Sequence, residues 1–247
     1  MPFTISHAAA ILPLLRFRRL DPLALVVGSM APDFGYFLQR FGAAAAAHSY
    51  KGSLQIALPS AALAWLLCRL AARFLTRPLP AHFSQSIQAF LRGRPWSISS
   101  PFWIPVSLLL GIWSHTFLDA FTHEHGWFVR RIPALQWPGY HSLQHLGSIV
   151  GVLVLFFVLR HQAGALPSVR TLANDRNLRM LAVIALLAVA VASVMAASFA
   201  SRFDGFLQVR AYTFHLVVHS IALFAVAYLV LAASLSLRAW YHRLRSA

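Results

Sequence analysis

The chain has 247 residues, of which 59% are hydrophobic and only 11% charged, with a mean hydropathy of +0.65. A soluble domain carries about 25% charged residues, so this composition excludes an ordinary soluble globule; the long, non-alternating apolar runs also exclude a membrane β-barrel. The 21 basic and 6 acidic residues give a net charge of +15, which, without a basic–aromatic recognition module, points to loops beside an anionic leaflet rather than to nucleic acid.

In chain order, a short apolar helix is expected at about 4–16, then longer ones at about 22–41, 53–75, 101–122, 143–160, 178–200 and 212–237. Between them, Arg77, Pro78, Pro80, Arg92, Arg94 and Pro95 mark a loop over about 76–100 with a surface helix at about 82–92, and about 161–177 forms a second polar loop. The fold expected is an all-α polytopic integral membrane bundle of about six or seven membrane helices, in a single membrane-embedded domain over residues 1–247. The opening Met-Pro-Phe-Thr-Ile-Ser-His lacks the basic stretch of a secretory signal, so insertion is assigned to the internal helices. Cys68 is the lone cysteine, which leaves any metal to His, Asp, Glu or water.

Arginine sets the orientation. Threading the helices alternately puts four clusters on one side, taken as cytoplasmic: Arg16, Arg18 and Arg19; Arg69, Arg73, Arg77, Arg92 and Arg94; Arg160, Arg170, Arg176 and Arg179; and Arg238, Arg243 and Arg245. His7, His48, His115, His123, His125, His141, His145, His215 and His219 then fall on or near the outer side, leaving His82, His161 and His242 inside. Trp96, Trp103, Trp127 and Trp137 have the placing of interface anchors.

Two of the carboxylates, Asp33 and Asp119, lie in apolar stretches, where an ionised carboxylate costs several kcal/mol unless something compensates it. His115, Asp119 and His123 follow at four-residue steps and so share one helical face, an arrangement that suits a divalent metal such as zinc; the alternative is a helix end whose polar groups reach the interface. Glu124 is a candidate general base or a solvated loop residue. Asp33 follows Pro32, which interrupts a helix, near Gly28, Ser29 and Ala31, which allow close helix approach; it is a ligand, or pairs with a buried Arg or hydroxyl. Thr4 and Ser6 are N-cap types before His7. His215 and His219, one turn apart, are the candidates for a second site.

Met1-Pro-Phe-Thr4-Ile-Ser6-His7-Ala-Ala, then Gly28-Ser-Met-Ala-Pro32-Asp33 and His48-Ser49-x-x-Gly52, resemble a bacterial membrane family, domain of unknown function 4184. Gly111-x-x-Ser114-His115-x-x-x-Asp119-x-x-Thr122-His123-x-x-Gly126-Trp127 and Leu143-Gln144-His145-x-Gly-Ser148-x-x-Gly151 fit it too. The match covers mainly residues 1–160. That family looks similar to inner-membrane proteins named as metal-dependent hydrolases, and its His-and-Asp pattern is distantly similar to zinc-dependent phospholipase C. The resemblance implies a multi-pass protein of the bacterial inner membrane, with His7, Asp33, His48, His115, Asp119 and His123 as metal ligands and phosphoester chemistry at the site. The N-terminal tryptophan ligand of the soluble enzymes has no counterpart in Met-Pro-Phe, so one or two metals are implied rather than three.

The function expected is therefore a membrane-embedded metal-dependent hydrolase acting on a lipid-borne phosphoester or related ester near the outer leaflet. Zinc, or another divalent metal, would lower the pKa of water to about 7; Asp33 and Asp119 are the catalytic candidates, each as ligand or base. Arg210 and Lys51 are candidates for holding an anionic headgroup. The alternatives are a metal or proton transporter using the same buried groups, and a non-catalytic scaffold in which they serve helix packing. The expected partners are membrane lipid and a divalent metal, with no nucleic acid; the oligomeric state is left open.

Overall fold

A computed structural model describes residues 4–93, 100–162 and 175–246. Arg94, Pro95, Trp96, Arg170, the opening Met1–Phe3 and, of the polar loop expected at about 161–177, residues 163–174 lie outside the described residues. Among those described, the chain is helical, with no strand. It divides into two compact units, one of Met1–Arg69 with Phe90–Leu166, the other of Leu70–Ala89 with Pro167–Ala247.

The first unit opens not with the expected α-helix but with two 3-10 turns, Thr4–Ala9 and Leu12–Arg16, the second with Pro13 at its second position. Proline has no N–H to continue an i→i−4 ladder, and short 3-10 turns accommodate it. Helix α1 (Pro22–Met30) begins where Asp21 caps the Ala24 amide, followed by Pro22 in the first turn. The expected span at about 22–41 does not form as one helix. It tightens into a 3-10 turn at Ala31–Asp33 and is followed by a single turn at Phe34–Phe37, because Pro32 interrupts the ladder. Then come α2 (Phe41–Ala47), α3 (Tyr50–Leu70, with a π-helical stretch at Ser53–Ala57), α5 (Ser100–Thr122) and α6 (Gly139–Gln162); α4 (Ala81–Arg92), where a surface helix was expected, precedes α5 in the chain and belongs up to Ala89 to the second unit.

Helices α1 and α5 are the centre of this unit. The Asp21 amide donates to the Ser107 hydroxyl, and His115 meets the Ser29 carbonyl, so the two helices ascend together. They approach closely because Gly28 and Gly111 face the partner's backbone. A Cβ at Gly28 would come within 2.3 Å of the Leu108 carbonyl, and one at Gly111 within 2.4 Å of the Leu25 carbonyl. Small residues at such a crossing maximise packing where no hydrophobic drive favours helix association over lipid. Leu25, Leu108 and Ile112 fill the interior around it, and Leu23, Ala24, Ala57, Ala61 and Trp65 extend it toward α3. The N-terminal turn is fixed to α6 by Ser6, which lies against Gly151 closely enough that a Cβ there would sit 2.7 Å away.

The second unit contains α7 (Arg176–Ala200), capped by Asp175, and α8 (Gly205–Ser246). Ala188, Ala192, Ala196 and Ala200 recur at four-residue steps and are buried, a small-residue stripe of the kind that packs helices in lipid. The Ser193 and Tyr212 hydroxyls bond at 2.8 Å between the two helices, and Arg77 reaches the Leu235 carbonyl. With 42 residues, α8 is about 63 Å long at 1.5 Å per residue, so its basic end, Arg238 to Arg245, extends past the apolar stretch.

Among the described residues, five helices are long and apolar enough to cross a membrane: Tyr50–Leu70, Ser100–Thr122, Gly139–Val158, Arg176–Ala200 and Gly205–Arg245. Their apolar side chains remain largely exposed, among them Leu186, Leu187, Val194 and Val230. Apolar surface on this scale is what lipid, not water, would cover. The chain is an all-α membrane protein, and the two further spans expected near its start are the 3-10 turns and the broken helix.

Candidate metal centre

Where α1 ends and α5 nears its own end, the six singled-out residues of the first unit meet. Asp33 comes from the 3-10 turn after α1, His48 from the end of α2, His115, Asp119 and His123 from α5 and the residue beyond it, and His7 from the N-terminal turn. The four-residue steps on α5 do align their side chains, with Asp119 lying 3.2 Å from His115 and 3.3 Å from His123.

Three atoms define the centre. His48 Nε2, His115 Nε2 and Asp119 Oδ2 stand 3.2 Å from one another along all three edges. Asp33 Oδ1 lies 3.4 Å from His48 Nε2 and 3.7 Å from His115 Nε2. Ligand atoms about 2.0–2.1 Å from a tetrahedral zinc are separated by about 3.3 Å, so the triangle has the size of one face of a zinc tetrahedron, and Asp33 with His48 and His115 forms a second group that could hold an ion.

The far atom of every one of these groups is held. His48 Nδ1 donates to the Ala44 carbonyl at 2.7 Å, and His115 Nδ1 donates to the Ser29 carbonyl at 2.8 Å. Each ring's proton is thereby placed on Nδ1, leaving the Nε2 lone pairs to face each other and the carboxylates. The Thr4 hydroxyl donates to Asp33 Oδ2 at 2.6 Å. Asp119 Oδ1 is met by His7 Nε2 at 3.2 Å and His123 Nδ1 at 3.3 Å. Buried His7 Nδ1 has no partner among the described residues, which puts that ring's proton on Nε2, donating to Asp119. Such outer partners fix ligand orientation and tautomer at metal sites. His7 also stacks on His115, with centroids 3.8 Å apart.

Two lone-pair nitrogens 3.2 Å apart beside two carboxylate oxygens repel unless a proton or cation lies among them. Burial disfavours a charged imidazole, yet hydrogen bonds to Asp119 and Asp33 outweigh it and push the His48 pKa up to about 10. Burial likewise pushes Asp33 up, and it is outweighed by the His48 hydrogen bond, the His115 charge and the Thr4 hydroxyl, so its pKa is lowered. The cluster thus draws positive charge to His48 Nε2, one corner of the triangle.

The centre is closed on one side and open on the other. The side chains of His7, His115 and Asp33 are 1%, 0% and 2% exposed, whereas His48 and His123 are 22% and 35% exposed. Tyr36 packs beside His48 at this open side, its ring centroid 6.2 Å away, and burial followed by the Asp33 and Asp119 charges raises its pKa. Ser49 holds the turn after His48 by accepting from the Gly52 amide and donating to the Ala46 carbonyl.

Other candidates lie elsewhere. Glu124 and His125 are exposed beyond α5, and Lys51 is exposed at the start of α3. Arg210 belongs to the second unit, on the surface of α8 over the Phe206 ring. His215 and His219 also lie on α8, ring centroids 5.3 Å apart, with His219 Nδ1 on the His215 carbonyl. Sequence reasoning gave Thr4 only a capping role and passed over Asp21. The signal for Thr4 was its three-residue spacing from His7, which puts both on one side of a 3-10 turn.

The profile of a known family, described as Domain of unknown function (DUF4184), matches residues 1–233. No curated protein and no solved structure matches the chain.

Proposed function

The chain belongs to the DUF4184 family, and from its own polar centre we propose a membrane-embedded metal-dependent hydrolase. The observation that carries the reading is the 3.2 Å triangle of His48 Nε2, His115 Nε2 and Asp119 Oδ2. Imidazole and carboxylate donors suit zinc or another divalent transition metal. Asp33 and Asp119 together carry two negative charges, which balance a divalent ion and remove the cost of leaving them buried. A bound zinc supplies Lewis acidity that brings the pKa of water to about 7.

The chain's own residues then divide the work. His48, His115 and Asp119 hold the ion, oriented by the Ala44 and Ser29 carbonyls and by His7 and His123. Asp33 Oδ1, set further off at 3.4 and 3.7 Å from the two nitrogens, completes the set or accepts the proton of the attacking water, while Thr4 steadies its other oxygen. On this assignment His7 and His123 are positioning residues rather than ligands. The substrate enters past His48 and His123, the exposed side. The exposed apolar helices support a lipid-borne phosphoester or related ester, and Lys51 is the cation of this unit best placed in sequence to meet its headgroup. The basic clusters favour an inner-membrane protein with the centre facing outward.

Transport would need polar groups continuing along the unit. Instead, fully buried Leu25, Leu108 and Ile112 lie between this centre and Asp21 at the other end of α1. A packing role would call for N–H or cationic partners on each carboxylate, whereas His115, whose Nδ1 donates to the Ser29 carbonyl, turns its Nε2 lone pair toward Asp119 Oδ2.

The test is turnover of phospholipid and of soluble phosphoesters by the purified protein supplied with zinc. Wild type is expected to hydrolyse one of these classes and Asp119→Asn to lose that activity while inserting normally. Equal turnover in the variant, or none by wild type across both classes with zinc bound, removes the hydrolase reading.

A further inference from the structure

His141 and His145 fall in the first two turns of α6, and the polar centre uses neither. They are one helical turn apart, their Nε2 atoms are 3.4 Å from each other, and their rings meet edge-on with centroids 4.5 Å apart. His145 is exposed and His141 half-buried. The separation of the two nitrogens matches the about 3.3 Å between adjacent ligands of a tetrahedral zinc, and the two share a hydrogen bond whose proton a divalent ion would replace. A helical turn is a rigid frame for such a pair. Its rotation is further limited because α6 is fixed to the N-terminal turn by Ser6 against Gly151. Trp137 lies beside the pair, its ring 5.0 Å from that of His141.

We propose that His141 and His145 form a second, exposed site for a divalent transition-metal ion, held by the two Nε2 atoms and completed by water. Imidazole donors select zinc, nickel or copper(II) over magnesium and calcium. With two protein ligands instead of the buried set, the site binds more weakly than the centre and exchanges its ion with solvent. It is independent of the hydrolase reading, since it shares no ligand with His48, His115, Asp33 or Asp119.

The experiment is a nickel(II) titration of the full chain in detergent, purified without a histidine tag and followed by tryptophan fluorescence, which nickel quenches at short range. Wild type should show a saturable quench that excess zinc reverses and magnesium does not. His141→Gln/His145→Gln should lose it, and Trp137→Phe should lose most of its amplitude while nickel binding by calorimetry persists. His48→Ala/His115→Ala should retain it, which separates this site from the buried centre. An unchanged quench in the His141→Gln/His145→Gln variant, or an unchanged amplitude in Trp137→Phe, would overturn the proposal.

Discussion

Helix α1 carries a buried aspartate at each end, and the two are solved in opposite ways. At the start, Asp21 Oδ1 accepts from the Ala24 amide and the Trp65 indole, and Oδ2 faces Arg69 at 3.6 Å, with the guanidinium lying over the Trp65 ring. Every partner is an N–H donor or a cation, so this end is complete without any further group. At the other end, Asp33 and Asp119 meet imidazoles and the Thr4 hydroxyl, and because His48 and His115 each donate from Nδ1 to a carbonyl, a proton or cation among the Nε2 atoms and carboxylates holds the cluster together. Burial of a carboxylate therefore does not by itself mark a functional site; the protonation pattern of what surrounds it does. Asp21 is a structural pin, and the groups around Asp33 and Asp119 are ones that could hold a metal ion.

The largest expected effect separates the two ends by ligand-linked stability. Zinc at a thousandfold excess over its dissociation constant should stabilise wild type by about 4 kcal/mol, measured by thermal unfolding in detergent. Asp119→Ala should abolish that gain, and Asp21→Ala should keep it. Next in size is the pin itself: Asp21→Ala leaves Arg69 without its carboxylate and α1 without its cap, at a cost of about 3 kcal/mol that zinc does not repair. If zinc restored Asp21→Ala to the wild-type midpoint, the two ends would not be distinct.

Gly111→Ala tests the crossing that joins the ends. The added Cβ pushes against the Leu25 carbonyl and should cost about 1–3 kcal/mol. By shifting α5 against α1 it should also weaken zinc binding, through the lost fit of His115 to the Ser29 carbonyl. A smaller effect is expected from Thr4→Val, which removes only the hydroxyl on Asp33 Oδ2. Zinc affinity should fall about 10–100-fold, with about 1 kcal/mol of stability lost in chelator from the unpaired carboxylate oxygen; unchanged zinc affinity would make Thr4 a packing residue.

A further expected effect is on pH dependence, and its sign differs with and without metal. With chelator present, the raised His48 pKa contributes stability that is full below about 6.5, the ordinary imidazole value, and is lost as pH rises through about 10. Asp33, lowered, contributes above its ordinary range and is lost as pH falls through its folded value. With zinc, the proton on His48 competes with the ion, so affinity should rise over the same alkaline range. His48→Gln should flatten both trends.

Much of the centre was legible because its elements are periodic. His115, Asp119 and His123 sit on one helix at four-residue steps, and helical geometry alone brings their side chains together. Asp33 was legible as a carboxylate in an apolar run. What was hidden is what depends on contacts distant in sequence. Nothing local tells that Ser29's carbonyl receives His115, or that His7 reaches across more than a hundred residues to the far oxygen of Asp119. Asp21 escaped notice because its partners, Trp65 and Arg69, arrive from another helix. At 22–41 the interruption at Pro32 was legible, but not its extent: the apolar run continues past it while the chain goes on only as a 3-10 turn and a single helical turn. The reach of α8 was underestimated because its polar ends continue the helix after the apolar run stops.

The measurement closest to the central claim is the metal content of the purified full chain after zinc loading and gel filtration, read by elemental mass spectrometry for wild type, Asp21→Ala and His48→Ala/His115→Ala. The account predicts about one tightly held zinc per chain in wild type and in Asp21→Ala, and none in His48→Ala/His115→Ala. Zinc retained equally in that double variant, or absent from folded wild type, would contradict it.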